Sequence, residues 1–327
     1  MDILITSAGL ERSGDVLRAA APAARWVHVD QDGTVRLDGR EIDRTDAAPE
    51  VAWLSSDLVQ GGPVHRFFGI VAHAPSLRWL QSSAAGFDAP VFADLLARGV
   101  RLTTSHIAGP PIADFVLRAA LDHLQDADAW RAAQAERRWA PHEITEMADT
   151  TWLVVGMGAI GAEVAVRARA CGATVVGVRR SPTGAEPADE MIGPDAVRGA
   201  LARADVVVLA TPASASTTGL VDARFLAAMR PGSLLVNIGR GALVDEPALL
   251  AALDSGTPGR AALDVTATEP LPVDDPLWAH PRVVLTPHSS ALGGGRHGRA
   301  ARVFAQNLRR YTAGDALLHE VTTVDLE

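Results

Sequence analysis

Short apolar runs alternate with amphipathic stretches along nearly the whole chain. In the first third, the strand-like runs lie at Asp2–Thr6, Trp26–Asp30, Thr34–Leu37, Val51–Leu54, Leu77–Gln81 and Val100–Thr103. The helical stretches between them lie at Arg12–Ala20, Pro63–Ala72 and Pro90–Arg98. This alternation predicts a small α/β domain over residues 1–105.

A longer alternating series begins near residue 151. Its strand-like runs lie at Thr151–Val155, Thr174–Val178, Asp205–Ala210, Ser233–Ile238, Arg260–Val265 and Arg282–Leu285, and helical stretches separate most of them. Such a series predicts a doubly wound parallel sheet, which binds its ligand beyond the carboxyl ends of the strands. Between the two series, the stretch from Ile112 to about Arg138 predicts one long helix.

A glycine-rich turn follows the first strand of the second series, with the sequence Gly156-Met157-Gly158-Ala159-Ile160-Gly161. At this spacing Gly156 permits the tight turn, Gly158 lets the backbone approach a pyrophosphate, and Gly161 lets helix and strand pack closely. The N–H groups at the helix start, around Ala159 and Ile160, would face the phosphate, where the helix dipole favours negative charge. The motif predicts a dinucleotide site, and an ordinary glycine-rich turn is the alternative.

Composition narrows the class of protein. The 327 residues are 48% hydrophobic, and the net charge of −9 disfavours a general nucleic-acid binder. Because no run approaches 18 apolar residues and the start lacks a basic signal segment, we expect a cytoplasmic protein without a membrane segment. All 30 basic residues are arginine, which excludes catalysis by lysine. The single cysteine, Cys171, is expected to be buried in packing.

Three polar residues stand just beyond predicted strands of the second series, namely Arg240, Glu269 and His288. An arginine can hold a carboxylate through two hydrogen bonds, and a histidine can transfer a proton near neutral pH. A glutamate bonded to the far imidazole nitrogen would fix the tautomer of that ring. Beside a dinucleotide site, this set suits hydride transfer to the carbonyl of an acid, although each residue alone could be an ordinary loop residue. No metal site is predicted.

Longer segments carry these residues: Leu235-Val236-Asn237-Ile238-Gly239-Arg240-Gly241, Ala262-Leu263-Asp264-Val265 with Glu269-Pro270-Leu271-Pro272, and Pro276-Leu277-Trp278 with Thr286-Pro287-His288. Together they resemble the D-isomer-specific 2-hydroxyacid dehydrogenases, most closely the glyoxylate/hydroxypyruvate reductase branch. The resemblance implies a doubly wound Rossmann cofactor domain over residues 106–292. It also implies a smaller flavodoxin-like substrate domain over residues 1–105 and 293–327, with the active site in a cleft between the domains. The family is usually homodimeric through the cofactor domains.

The resemblance also implies residue roles. His288 would protonate the keto oxygen as general acid, Glu269 would pair with it, and Arg240 would bind the substrate carboxylate and polarise the carbonyl. The backbone N–H groups of the substrate loop would receive the carboxylate, and this loop comprises Ser83, Ala84, Ala85 and Gly86. Further cofactor contacts are implied at Thr211, Pro212, Thr217, Ile238, Gly239 and Asp264. Ser289 and Ser290 stand where small apolar residues are more usual, which leaves the polarity of the pocket open.

The cofactor is predicted from the end of the second strand of this series. Arg179, the eighteenth residue after Gly161, occupies the position at which NAD-binding relatives carry an acid. Arg179, Arg180 and Ser181 instead offer two cations and a hydroxyl to a 2′-phosphate. We therefore predict NADP(H) as the preferred cofactor and NAD(H) as the second, with mixed use as the alternative.

The predicted function is reduction of a small 2-keto acid to the D-2-hydroxy acid. A non-catalytic, nucleotide-sensing protein of the corepressor kind is the alternative, because some relatives act in that way. Turnover of any 2-keto acid with a reduced nicotinamide would favour the enzyme.

Overall fold

The structure is a computed structural model that describes residues 1–58, 62–84 and 89–322. The chain divides into two compact units, a first unit of Met1–Ala108 with Gly293–Glu327 and a second unit of Gly109–Leu292. Each unit has its own largely parallel sheet. None of the helices in the three described ranges combines the length and the apolar composition that crossing a bilayer requires.

The elements are numbered along the chain. The strands are β1 (Asp2–Thr6), β2 (Arg25–Val29), β3 (Val35–Leu37), β4 (Arg40–Ile42), β5 (Val51–Leu54), β6 (Trp79–Ser82), β7 (Arg101–Thr103), β8 (Thr151–Val155), β9 (Thr174–Val178), β10 (Glu190–Ile192), β11 (Val206–Leu209), β12 (Leu234–Asn237), β13 (Arg260–Leu263), β14 (Val283–Leu285) and β15 (Glu320–Val321). The helices are α1 (Ser7–Ala20), α2 (Val64–His73), α3 (Pro90–Ala97), α4 (Gly109–Leu124), α5 (Ala127–Ala135), α6 (Ala159–Ala170), α7 (Val197–Leu201), α8 (Ala223–Ala228), α9 (Glu246–Ser255) and α10 (Arg296–Ala313).

The sheet of the first unit has the strand order β15-β7-β6-β5-β1-β2-β3-β4. Its five parallel strands, numbered among themselves, follow the flavodoxin-like order 2-1-3-4-5. The strands β3 and β4 extend one edge as an antiparallel hairpin, and β15 pairs antiparallel with β7 at the other edge. Helix α10 packs against α1, so the C-terminal segment completes the unit that the N-terminus begins.

Two tryptophans form the centre of the first unit's core. Trp53 stacks on Phe304 with 4.9 Å between ring centroids, and Trp79 lies 5.3 Å from the same ring. Each indole N–H also finds an acceptor, because Trp53 donates to Ser83 Oγ at 3.0 Å and Trp79 to Thr103 Oγ1 at 2.8 Å. Both rings are therefore packing residues of the core.

The sheet of the second unit is parallel throughout and has the order β10-β9-β8-β11-β12-β13-β14. This is the doubly wound order 3-2-1-4-5-6 with a seventh strand added at one edge. The central strands β11 and β12 are buried along their whole length, as expected for a parallel strand covered on both faces. The predicted class, α/β with a doubly wound Rossmann domain and a smaller flavodoxin-like domain, is confirmed.

Two local expectations from the sequence are wrong, and three short strands, β4, β10 and β15, were not predicted. Each has only two or three residues, and none of those in β10 is fully buried. The long helix after Ile112 is two helices, since Asp126 adopts a left-handed conformation (φ 45°) that ends α4 and begins α5. Cys171 is exposed, because it lies just beyond the last turn of α6.

Candidate active site

The glycine-rich turn lies between β8 and α6, against the end of β9. Val178 O accepts hydrogen bonds from the N–H groups of Gly156 and Met157, both at 3.1 Å. A Cβ on Gly161 would lie 1.9 Å from Gly156 O, and one on Gly156 would lie 2.7 Å from the backbone of Ala210. A Cβ on Gly158, by contrast, would meet no atom within 4 Å. The outer glycines are therefore required by packing, whereas Gly158 leaves open space before α6, at the position where the motif predicts a pyrophosphate.

Arg240 stands at the turn that follows β12. The buried side chain of Asn237 ties this turn together, because its Nδ2 donates to Arg240 O at 2.9 Å and its Oδ1 accepts from Gly239 N at 3.1 Å. The Arg240 guanidinium donates through Nη1 to Gly239 O at 2.8 Å. The side-chain amide of the buried Asn237 therefore fixes the backbone of the turn that carries the half-buried Arg240.

Glycines on both sides of Arg240 let three loops touch. A Cβ on Gly239 would lie 2.6 Å from Thr211 O in the loop after β11. A Cβ on Gly241 would lie 1.9 Å from Thr266 O in the loop after β13. The backbones that carry Arg240 and Glu269 therefore lie so close together that a residue larger than glycine at position 241 would force them apart.

His288 and Glu269 form a hydrogen-bonded pair in this group of loops. His288 Nδ1 lies 2.8 Å from Glu269 Oε2, and Glu269 Oε1 accepts from Thr266 N at 3.2 Å. The two side chains are 50% and 39% exposed, so both are open to solvent. His288 has a left-handed backbone (φ 49°), which costs a residue with a Cβ about 1–2 kcal/mol. Its N–H donates to Asp264 O at 2.8 Å, which helps to hold this conformation.

Asp264 organises the segment that carries His288. Its carboxylate is buried and accepts hydrogen bonds from Thr286 Oγ1 at 2.7 Å and from Ser289 N at 2.9 Å. The N–H of Ser290 lies 3.1 Å from the same carboxylate, and the Ser290 hydroxyl also donates to it. Asp264 thus holds residues on both sides of His288, and the hydroxyl of Ser290 is engaged by this carboxylate.

The loop after β11 contains the predicted cofactor-contacting residues Thr211, Pro212 and Thr217. Thr217 Oγ1 donates to Pro212 O at 2.8 Å and accepts from Ser214 N at 2.8 Å, which closes the loop on itself. Ile238 is buried beneath the neighbouring turn. Because β11 and β12 are parallel neighbours, this loop and the Arg240 turn lie at the same edge of the sheet.

At the end of β9, Arg179 is engaged within the protein. Its Nη1 donates to Glu186 Oε1 at 3.0 Å. Glu186 also accepts from Thr183 N at 2.8 Å, from Thr183 Oγ1 at 2.9 Å and from Gly184 N at 3.0 Å. Arg180 is exposed, like Ser181.

The predicted substrate loop belongs to the first unit and is described in part. Ser83 N donates to Leu54 O at 2.9 Å, and Ala84 N lies 3.1 Å from Ser82 Oγ. Both N–H groups are therefore already bonded within the unit. Ala85 and Gly86 lie outside the described residues.

Sequence reasoning missed the supporting residues of the site. Glu246 at the start of α9 accepts from Ala267 N at 2.7 Å, and its burial raises the pKa of its carboxyl group. It thereby supports the loop that carries Glu269. Neither Glu246 nor Glu186 stands in a motif. Glu246 is identified by its bond to Ala267, in another loop, and Glu186 by the turn that brings it back to Arg179. In the part of the chain that the structure describes, no three His, Cys, Asp or Glu side chains are grouped as metal ligands.

Two relatives of known name align with about three quarters of this chain. The chain is 35% identical over 267 residues to glyoxylate/hydroxypyruvate reductase B of Pectobacterium carotovorum, a match that covers 77% of this chain and 81% of that protein. It is 36% identical over 250 residues to D-3-phosphoglycerate dehydrogenase of Mycobacterium leprae, covering 75% of this chain. The chain spans about half the length of that second relative, 47%.

Solved structures match over nearly the full chain. A D-isomer specific 2-hydroxyacid dehydrogenase from Xanthobacter autotrophicus Py2, in complex with NADPH and MES, has a TM-score of 0.77 at 31% identity, with 98% of this chain and 97% of that chain covered. The NADPH-dependent glyoxylate/hydroxypyruvate reductase of Sinorhizobium meliloti, in complex with NADP and sulfate, also has a TM-score of 0.77, at 25% identity, covering 100% and 99% of the two chains.

The family itself is identified by the sequence of the second unit. Residues 117–290 match the family model described as "D-isomer specific 2-hydroxyacid dehydrogenase, NAD binding domain". This range contains the glycine-rich turn, Arg240, Glu269 and His288. The chain therefore belongs to the D-isomer-specific 2-hydroxyacid dehydrogenases and is a nicotinamide-dependent oxidoreductase.

Proposed function

We propose that the protein reduces a small 2-keto acid of the glyoxylate or hydroxypyruvate kind to the D-2-hydroxy acid. The observation that carries this proposal is the His288–Glu269 pair, with 2.8 Å between Nδ1 and Oε2, in loops that contact the Arg240 turn. A proton donor, its orienting carboxylate and a carboxylate-binding cation are the groups that reduction of a keto acid needs. The alignment with a glyoxylate/hydroxypyruvate reductase supports the same substrate class.

The roles of the chain's own residues follow from their bonds. Glu269 accepts the Nδ1 proton of His288, which leaves Nε2 as the nitrogen that donates a proton to the keto oxygen. Arg240 binds the carboxylate and stabilises the negative charge that develops on the carbonyl oxygen. A bound nicotinamide would supply the hydride, and the backbone around Gly158 would hold its pyrophosphate in the open space there.

The substrate loop is anchored at its start. Ser83 and Ala84 already donate their N–H groups to Leu54 and Ser82, so they tie the loop to the sheet of the first unit. The loop's role rests on the family resemblance.

NADP(H) is the preferred cofactor in this proposal, with NAD(H) as the second. Arg179, Arg180 and Ser181 follow β9, next to the glycine-rich turn, and offer donors to a 2′-phosphate. The two solved relatives carry NADPH or NADP in their complexes. Arg179→Asp combined with Arg180→Ala should therefore change the ratio of kcat/KM values toward NADH by about five- to hundredfold, with saturated turnover largely kept.

The test is an assay of 2-keto acids, from glyoxylate to bulky aryl pyruvates, with NADPH and with NADH. We expect turnover of the smallest acids, with the higher kcat/KM for NADPH at low salt. Tight binding of both nucleotides without turnover of any acid would instead identify a nucleotide sensor. Equal or better use of NADH at low salt would contradict the cofactor assignment alone.

A further inference from the structure

The Arg179–Glu186 ion pair lies beside the glycine-rich turn and has no part in the chemistry at His288. Arg179 N donates to Ile192 O at 3.2 Å, so the arginine remains attached to the sheet edge at β10. The preceding residue, Val178, accepts the two N–H groups of the glycine-rich turn. The pair is therefore fixed next to the predicted position of the cofactor's ribose.

Glu186 is enclosed by the turn that it closes. Its side chain is 3% exposed, whereas that of Arg179 is 42% exposed. The Thr183 backbone N–H, with further hydrogen bonds from the Thr183 hydroxyl and Gly184 N–H, lowers the pKa of Glu186 to about 2. Near neutral pH, Glu186 is therefore an anion whose carboxylate is covered by its own turn and paired with Arg179.

The charges near this strand end can be counted. The carboxylate of Glu186 offsets the guanidinium of Arg179 at 3.0 Å. Arg180 is exposed and makes no ion pair with any residue in the described ranges. After this pairing, the run Arg179-Arg180 carries the net charge of one cation, although the sequence shows two.

We propose that Glu186 is a positioning residue that sets the balance between the two nicotinamide cofactors. It orients Arg179 while cancelling its charge, so Arg180 provides the net attraction for the 2′-phosphate and NAD(H) remains usable. This inference rests on the proposed nucleotide site. It makes Glu186 a determinant of cofactor choice that does not itself contact the cofactor.

The test compares cofactor binding in Glu186→Gln with that in the unmodified protein. Removing the buried anion should lower the NADPH dissociation constant about five- to tenfold and change that of NADH less than twofold. The effect should appear in KM for NADPH and leave kcat unchanged, and it should shrink at about 0.5 M salt. Adding Arg179→Gln to Glu186→Gln should return the preference to the unmodified value.

Controls separate charge from local stability. Glu190→Gln removes an exposed glutamate that pairs with Arg203 in the same unit, and we expect it to leave both dissociation constants unchanged. The variant Arg180→Gln tests the same proposal even if Glu186→Gln folds poorly, because it alters only an exposed side chain. Arg180→Gln should abolish the preference for NADPH. A preserved preference would mean that Glu186 does not offset the charge of Arg179.

Binding is measured without substrate, with NADPH, NADH, adenosine 2′,5′-bisphosphate and AMP as probes. If the unmodified protein binds none of these, the nucleotide site and with it the proposed function fail. If it binds them but Glu186→Gln changes the NADPH and NADH constants equally, the nucleotide site stands and the role of Glu186 is refuted.

Discussion

His288 is held in an unfavourable backbone conformation by residues from two neighbouring strand ends. Its φ of 49° is stabilised by the bond from its N–H to Asp264 O, while its side chain is oriented by Glu269. The buried carboxylate of Asp264 is itself satisfied by the residues that flank His288. The imidazole is therefore oriented before any ligand binds, which lowers the cost of reaching a reactive geometry.

Removing this imidazole should abolish most of the reduction. His288→Ala should lower kcat for a 2-keto acid at least about a hundredfold, because a positioned acid contributes that much or more. Steady-state kinetics at saturating NADPH check this expectation.

A second histidine of the same unit provides the control. His280 faces Asp254 at 3.4 Å, so His280→Ala removes another histidine that lies beside a carboxylate. We expect its kcat to stay within about twofold of the unmodified value, because the His280 ring bonds to Asp254 and to the Arg282 N–H, neither of which takes part in the proposed mechanism. Near-normal turnover in His288→Ala would refute the mechanism.

At the scale of secondary-structure elements, the loops after β11, β12 and β13 contact one another at the carboxyl edge of the second sheet. Parallel pairing brings these ends to one edge, but the close approach of their backbones depends on Gly239 and Gly241. An atom added at these contacts would therefore displace the loops that carry Arg240 and Glu269, because protein interiors have little free space.

Gly241→Ala should therefore disturb the site through the backbone alone. The new methyl group would overlap Thr266 O, so we expect a loss of about 1–3 kcal/mol in the free energy of unfolding. We also expect kcat/KM to fall at least about tenfold. Gly199→Ala in α7 is the matched control, since a Cβ there meets nothing within 4 Å. The control should be neutral or stabilising by up to about 1 kcal/mol, and equal behaviour of the two variants would contradict the overlap.

Helix α10 is tied to the first sheet by the chain's single tyrosine. The Tyr311 hydroxyl donates to Glu50 Oε1 at 2.9 Å, just before β5. Burial, together with the bond to Glu50 and its negative charge, raises the pKa of Tyr311 to about 12.

A raised pKa means that the folded state prefers the neutral phenol. The stability from this preference is complete below the unfolded value of about 10 and is lost as the pH rises through about 12. Because there is one tyrosine, the rise in absorbance near 295 nm with pH reports its ionisation alone. We expect a midpoint near 12 in the folded protein and near 10 in urea, and Tyr311→Phe should remove this part of the alkaline destabilisation. A titration midpoint near 10 in the folded protein would show that the Tyr311 hydroxyl is neither buried nor bonded to Glu50.

At the scale of the whole molecule, the second unit exposes large apolar side chains. Trp139 is 96% exposed, Trp130 is 41% exposed and Ile144 is 44% exposed. All three lie within or just after α5. The family resemblance implies a dimer formed through the cofactor-binding units. We propose that this exposed segment contributes to that interface, because a partner would cover its apolar side chains.

We therefore expect sedimentation to give about twice the chain mass of 34.3 kDa. Trp139→Ser should weaken the association and move the mass toward that of the monomer, since interface aromatics contribute strongly to binding. Val273→Ser is the control, because Val273 is 97% exposed and lies outside this segment. A monomer at all concentrations would contradict the dimer.

The sequence by itself determined the features that depend on local spacing. The alternation of apolar runs was sufficient to predict two α/β sheets, and the glycine spacing predicted the turn between β8 and α6. Arg240, Glu269 and His288 were found because parallel strands bring their carboxyl ends to one edge, so position along the chain predicts position in space. The family resemblance rests on these same segments, and it is confirmed.

Only the tertiary structure decided which polar groups are already bonded and which backbones touch. Nothing near Asp264 in the sequence indicates that Ser290 satisfies its carboxylate, and nothing in the run Arg179-Arg180 indicates that Glu186 neutralises the first arginine. Trp53 and Trp79 both pack on Phe304 from the far end of the chain, a contact that nothing near either tryptophan in the sequence indicates. The physical reason is common to these cases. Burial and hydrogen-bond satisfaction depend on neighbours that folding brings together, and a local pattern does not contain those neighbours.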